Sequence, residues 1–238
     1  MAMVRRGPLK PKLLIFALGI FISIQLNAQN LSIPPYIDLF QYLKNDVKFG
    51  ITNPTSFPDI RIWGWSTDGK VAYSQELYSE GSGMVHITFR VFDFISDKVL
   101  YKLDVPPDDV SIAEYYNRSA KEIKAALSQN KIVERQVDYL PFPIRKGNFV
   151  YNGNVIKTFD DNKNLKNYRV VIDRNTGKQK TIIAEDAFPG FEYDAAIAGY
   201  FLSPFGNRAL IVIAKEVYVF EGTGITYVFS GCHLETGF

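Results

Sequence analysis

Histidine and cysteine are scarce in this chain. Its 238 residues include two histidines, His86 and His233, and one cysteine, Cys232. A single cysteine excludes an intrachain disulfide and leaves Cys232 either as an inert thiol near the chain end, which we favour, or as a link to another chain. Two imidazoles leave few ways to build a Ser-His-Asp triad, and Cys232 with His233 supplies too few ligands for zinc. We therefore predict no catalytic residue, no metal site and no cofactor.

A long apolar run is also missing. The apolar stretch at 13–24 covers about a dozen residues, where a membrane-spanning helix needs about 20. It follows four basic residues and precedes a cleavage site after Ala28. This order predicts a signal peptide over 1–28, with an uncleaved anchor as the alternative. The protein is then expected to be bacterial, secreted or periplasmic, with no membrane span after cleavage.

Acidic residues are absent from 1–28, so the net charge of residues 29–238 differs from that of the whole chain. Four of the 27 basic residues lie there, so 23 basic and 25 acidic residues remain for 29–238. The mature chain has no basic excess, so we predict no nucleic-acid partner. Its length suits a single domain over 29–238. An apolar content of 47% is enough for a packed core.

An eight-residue pattern is present twice, at 91–98 and at 171–178. In each copy an apolar pair is followed by an aspartate, Asp93 or Asp173, then by a polar turn and a lysine. This order is typical of a β-hairpin with a tight turn. Its recurrence predicts an antiparallel sheet unit that the chain uses more than once.

Three blade-like units of this kind are predicted, near 60–105, 148–185 and 199–230. In the first, Asp68-Gly69 marks a hairpin turn; in the second, Asn152-Gly153 marks a turn between strands 149–151 and 155–159. The fold class is mainly β, with antiparallel four-stranded sheets in an incomplete or small propeller-like, or sandwiched, arrangement.

One amphipathic helix is predicted near 112–129. Ser111 and Glu114 have the spacing of a capping box. Apolar residues then recur at helical spacing and form one stripe, at Ile112, Tyr116, Ala120, Ile123 and Leu127. We expect the helix to cover a sheet; a partner-binding helix is the alternative.

A few residues invite comparison with known kinds of site. Trp63 and Trp65 fall on one side of their strand with Arg61, which favours core packing over a sugar platform. Residues 160–164 place oxygen atoms at alternate positions but lack the glycine and glutamate of a calcium loop, so we expect a solvated turn. His86 lies inside a strand and is expected to be half-exposed.

Turn motifs carry a resemblance to known repeats. Ser66-Thr67-Asp68-Gly69-Lys70, Ser203-Pro204-Phe205-Gly206 and the turn at 173–178 are similar to those of the TolB-like and WD-type propeller repeats of exported bacterial proteins. The order of units also resembles a family of predicted secreted proteins of unknown function. The resemblance covers most of 60–230 and implies a blade fold but no catalytic residue. Closed propellers usually have at least about 4 blades, and three units are found here.

These observations favour an exported, non-enzymatic binding or assembly module with a protein partner or small ligand in the cell envelope. The sequence does not identify the binding residues. The rival is an exported hydrolase whose Asp and Glu residues converge only in the fold, since such pairs leave no short motif. A homodimer that completes a propeller is a third hypothesis.

Overall fold

The chain folds mainly into antiparallel β-sheets, as the sequence predicts. The computed structural model describes residues 31–43, 56–78, 84–108, 111–219 and 222–238. In those ranges there are twelve strands and three helices, and Ile33–Phe238 forms a compact unit. The first helix, α1 (Phe40–Leu43), packs into the core. The predicted signal peptide, 1–28, lies outside the described residues.

The unit predicted near 60–105 is a four-stranded meander, here called sheet A. Its strands are adjacent in chain order: β1 (Asp59–Trp65), β2 (Lys70–Tyr78), β3 (Val85–Asp93) and β4 (Lys98–Asp108). At the β1–β2 turn, Ser66 Oγ accepts the Lys70 amide at 2.8 Å, and Gly69 has a φ of +89°. The turn is held by its own residues, which is why the sequence predicts it.

Two consecutive helices follow, α2 (Ile112–Arg118) and α3 (Ala120–Gln129). The prediction of one continuous helix is wrong at Ser119, which ends α2 and begins α3. Ser119 caps both helices through its backbone, and its side chain makes no cap hydrogen bond to α3. The serine half of the predicted capping box is confirmed: Ser111 Oγ accepts the Glu114 amide at 3.2 Å. The chain then passes through the short strand β5 (Tyr139–Leu140).

The unit predicted near 148–185 is sheet C, with strands β6 (Ile144–Lys146), β7 (Phe149–Phe159), β8 (Leu165–Arg174) and β9 (Lys178–Asp186). The predicted turn at Asn152-Gly153 is wrong, because both residues lie inside β7. A Cβ at Gly153 would lie 2.5 Å from Ile197 Cδ1 and 2.9 Å from Phe142 Cε1. The glycine therefore permits close approach of neighbouring side chains and does not turn the chain.

The third unit, predicted near 199–230, is sheet B. Its long strands are β10 (Glu192–Leu202), β11 (Arg208–Val219) and β12 (Gly222–His233). The fourth strand is β5, whose Tyr139 and Leu140 pair with Phe201 and Tyr200 of β10. Sheet B thus takes an edge strand from the chain segment that precedes sheet C, which the sequence did not predict.

Sheet B is the middle layer of a stack in the order A, B, C, although it comes last in the chain. Along β11, one side-chain set packs into the core shared with sheet A, and the alternate set packs into the core shared with sheet C. All six residues at 209–214 are 0% exposed. An unbroken apolar run is typical of a strand buried on both faces.

Each copy of the repeated pattern forms a hairpin, β3–β4 in sheet A and β8–β9 in sheet C, as predicted. Their registers differ, because Asp93 pairs with Lys98 whereas Arg174 pairs with Lys178. The seventh position of the pattern has a left-handed backbone in both copies: φ is +52° at Asp97 and +83° at Gly177. Glycine accepts this conformation freely, whereas aspartate does so at some cost. Asp97 therefore stands where the backbone alone would favour glycine.

Candidate ligand-binding cleft

A cleft of about 430 Å³ lies along the free edge of sheet B. Residues of β12 form its floor, and residues of sheets A and C form its two walls. Arg90 and Asp97 line the wall from sheet A, Ile183 and Glu185 line the wall from sheet C, and Phe229 lies on the floor. Strands β4, β9 and β12, each at an edge of its sheet, therefore meet around one cavity.

Side chains of sheet A bond to backbone groups of β12, and a side chain of β12 bonds to the backbone of sheet C. Asp97 Oδ1 accepts the Gly231 amide at 2.7 Å, and Gln75 Nε2 donates to the Tyr227 carbonyl at 3.4 Å. Ser230 Oγ donates to the Ile182 carbonyl of β9 at 3.2 Å. These bonds tie the three sheets together and block the edge of β12 against pairing with another strand.

Asp97 has an unusual environment for a turn residue. Much of the residue is exposed, but its carboxylate points to the Gly231 amide. Partial burial of the carboxylate raises its pKa, and the hydrogen bond from the amide opposes this rise. The left-handed backbone at Asp97 is retained because its side chain joins sheet A to sheet B.

Arg90 is the cation of the cleft, on the β3 face directed towards sheet B. Its Nε is buried and has no hydrogen-bond partner among the described residues. In the same part of the chain, no carboxylate lies within salt-bridge distance of its guanidinium. Burial raises the pKa of the neighbouring Tyr73, and Arg90 partly opposes that rise. The Tyr73 and Phe229 rings pack with centroids 4.4 Å apart.

A second polar cluster lies on the opposite face of sheet A, beneath α2. Glu76 is 0% exposed. Arg61 donates to it twice, from Nε to Oε1 at 2.5 Å and from Nη2 to Oε2 at 3.1 Å. Tyr116 Oη donates to Glu76 Oε1 at 2.6 Å and lies 2.7 Å from Ser74 Oγ. Both oxygens of Glu76 are occupied, so this cluster fastens α2 to sheet A.

Trp63 and Trp65 are both buried, as expected, but the prediction that they share a face is wrong. A bulge between Ile62 and Gly64 shifts the β1–β2 register and leaves Trp63 without a partner on β2. Trp63 Nε1 donates to Ser74 Oγ at 3.0 Å beneath the helices, whereas Trp65 packs in the core between sheets A and B. A Cβ at Gly64 would lie 2.4 Å from the Val133 carbonyl oxygen, so only glycine fits the bulge.

The histidines and the cysteine have structural surroundings. Cys232 is 0% exposed, and burial raises its pKa to about 11. His233 Nδ1 accepts the amides of Glu235 and Thr236, each at 3.1 Å. Burial lowers the pKa of His233. His86 is a partly buried residue of β3, as the sequence predicts.

The loop at 160–164 is a solvated turn closed by its own residues, as expected. Asp160 Oδ1 accepts the amides of Asn162 at 2.9 Å and Asn164 at 2.8 Å. Among the described residues, no group of three or more histidine, cysteine or acidic side chains is arranged to hold a metal ion. In that same part of the chain, no helix combines the length and apolar character needed to cross a membrane.

The residues of the cleft were not singled out by sequence. Arg90 had one signal, a charge at a core-facing position of an otherwise apolar strand, and Asp97 had its alignment with Gly177. No protein-family model matches the chain, and no curated protein or solved structure matches it either. The resemblance to propeller repeats therefore stays a prediction.

Proposed function

We propose that the chain is an exported, non-enzymatic module that binds a small ligand in the cleft between its three sheets. The observation that carries this proposal is the buried, unpartnered Nε of Arg90 in a cavity of about 430 Å³. Ligand sites are typically concave, about 300–1,000 Å³ in volume, with apolar walls and a few polar groups. A buried donor without a partner is costly, and a ligand acceptor would remove that cost.

The experiment is ligand capture by the purified product of the full-length gene. The protein is incubated with envelope extract, desalted, and measured by native mass spectrometry. We expect a bound mass on the wild type that Arg90→Met loses. Arg118→Met is the matched control, since this arginine side chain is 59% exposed on α2, away from the cleft. Equal capture by all three proteins, or none by any, would overturn the proposal.

Export rests on residues 1–28, with their basic start and short apolar stretch. Expression of the full-length gene in a bacterium tests it directly. We expect the secreted or periplasmic product to begin at Gln29, as read by N-terminal sequencing. A cytoplasmic product that keeps residue 1 would contradict export.

The rival hydrolase needs two accessible carboxylates. Asp59 pairs with Glu76 across β1 and β2, and burial, followed by the charge of Glu76, raises the pKa of Asp59. Glu76, however, is sealed from solvent and bound to Arg61 and Tyr116. Substrate screening separates the two functions, because a turnover abolished by Asp59→Asn would favour the hydrolase.

A protein partner and a homodimer are the remaining alternatives. Cross-linking in envelope extract, with the full-length gene product as bait, would detect one stoichiometric partner. Light scattering on the purified protein tests the dimer, and a strict monomer excludes it.

A further inference from the structure

Charges of opposite sign lie at different depths of the cleft. Arg90 is partly buried, with a fully buried Nε, whereas Asp97 and Glu185 are exposed. All three line the same cavity. The described ion pairs include none between Arg90 and either acid, and Arg90 Nε has no hydrogen-bond partner among the described residues.

The inner end of the cleft suits a carboxylate. An arginine guanidinium presents a planar set of donors that matches a carboxylate in geometry and charge. The Nε of Arg90 is already removed from water, so an arriving oxyanion would meet a desolvated donor. A cationic or uncharged ligand would leave this donor without a charged partner.

The rim suits an ammonium group. Glu185 and Asp97 stand on opposite walls. Each has one carboxylate oxygen held by a close donor, and the other oxygen of Asp97, Oδ2, lies 3.5 Å from Ser230 Oγ. Tyr168 Oη donates to Glu185 Oε2 at 2.6 Å, and the Gly231 amide donates to Asp97 Oδ1 at 2.7 Å. The charges remain, so the rim would repel a simple anion and attract a cation.

Most of the other residues that line the cleft are apolar or aromatic. Phe92 belongs to sheet A, Phe229 and Val228 belong to β12, and Ile182 and Ile183 belong to sheet C. An apolar or aromatic group of a ligand can be buried there, and its removal from water favours binding.

We infer that the cleft binds a small amino-acid-like zwitterion, with its carboxylate on Arg90, its ammonium group at the Asp97 and Glu185 rim, and an apolar side chain against the cleft walls. This inference rests on the proposed function and adds the chemical class of the ligand. A zwitterion satisfies both sets of charges, whereas a simple anion or a simple cation satisfies one and opposes the other.

Three matched probes test the inference: phenylalanine, 3-phenylpropionate, which lacks the amine, and phenethylamine, which lacks the carboxylate. Each is titrated into the purified protein while methyl NMR follows Ile182, Ile183 and Val228. We expect phenylalanine to bind tightest. Arg90→Met should raise the Kd of phenylalanine and of 3-phenylpropionate at least about tenfold, because a hydrogen bond to a charged group is lost. The Kd of phenethylamine should not rise in this variant.

The rim variant is Glu185→Gln, which keeps an oxygen to accept from Tyr168 and removes only the charge. It should raise the Kd of phenylalanine and of phenethylamine by about two- to fivefold, since exposed charges contribute modestly to binding. The Kd of 3-phenylpropionate should be unchanged or lower. Arg90→Lys serves if Arg90→Met does not fold. It keeps the charge but loses the fork, so an intermediate affinity is expected. Arg118→Met should bind like the wild type.

The outcomes separate the two proposals. If 3-phenylpropionate binds as tightly as phenylalanine, or phenethylamine does and Arg90→Met has no effect, the zwitterion is wrong while ligand binding in the cleft stands. If no probe shifts the cleft methyl groups at millimolar concentration, the zwitterion inference is overturned. Ligand capture from envelope extract then decides separately whether the cleft binds anything at all.

Discussion

Glu76→Gln is the sharpest test of how the helices are held on sheet A. In the wild type the Glu76 side chain is 1% exposed and that of Arg61 is 13% exposed. The substitution keeps the size of the side chain but removes its charge. Arg61 then stays buried with a neutral partner, while Tyr116 keeps one acceptor.

The expected cost follows from burial. Removing one partner of a buried ion pair costs about 3–5 kcal/mol, because the remaining charge is desolvated without compensation. The introduced glutamine can still accept one hydrogen bond from Arg61, so we expect the lower end, about 3 kcal/mol. The double variant Arg61→Met with Glu76→Met should be less destabilised than the sum of its single changes, since it leaves no unpaired charge.

The assay is urea unfolding followed by tryptophan fluorescence, with the m-value as a check on two-state behaviour. Glu114→Gln is the matched control: its pair with Arg118 is similar in type, but the side chains are 49% and 59% exposed. We expect at most about 0.5 kcal/mol there. If Glu76→Gln costs as little as Glu114→Gln, the buried pair does not fasten the helices and our reasoning is wrong.

Single residues test three other parts of the fold. Asp97→Asn should be more stable than the wild type near neutral pH, because the raised pKa means that ionised Asp97 costs stability. The variant should lose this advantage as the pH falls through the range in which carboxyl groups titrate. Urea unfolding at a series of pH values measures the difference. Gly153→Ala should lose about 1–3 kcal/mol in the same assay, since the added Cβ meets Ile197, and an unchanged midpoint would contradict the close packing. Cys232 should react with a thiol reagent only on unfolding, so rapid labelling of the native protein would show that its burial is wrong.

The elements that sequence predicted are those whose bonds are local. The turn at Ser66 to Lys70 is closed by its own hydroxyl and a left-handed glycine, and the helix start at Ser111 by its own cap. Both work through residues within four positions of each other. The same holds for the repeated hairpins, so the three sheet units and their approximate limits could be predicted.

Two predictions, the turn at Asn152-Gly153 and the shared face of Trp63 and Trp65, are wrong because of contacts between distant residues. Asn152-Gly153 has the composition of a turn, but Ile197 and Phe142 pack over the glycine and keep the strand straight. The Val133 carbonyl leaves no room for a side chain at Gly64, and the adjacent bulge places Trp63 and Trp65 on opposite faces. Alternation along a strand predicts a face only while the register is unbroken.

Sequence alone determined the chemistry available to this protein and the local form of its strands, because residue types and short-range bonds are properties of neighbouring positions. Only the tertiary structure decided that sheet B lies between sheets A and C, since each apolar face must find a partner anywhere in the chain. That stacking order leaves the edge of β12 as the floor of a cleft and brings Arg90, Asp97 and Glu185 to its walls. The candidate site is therefore a consequence of layer order, which no short stretch of sequence encodes.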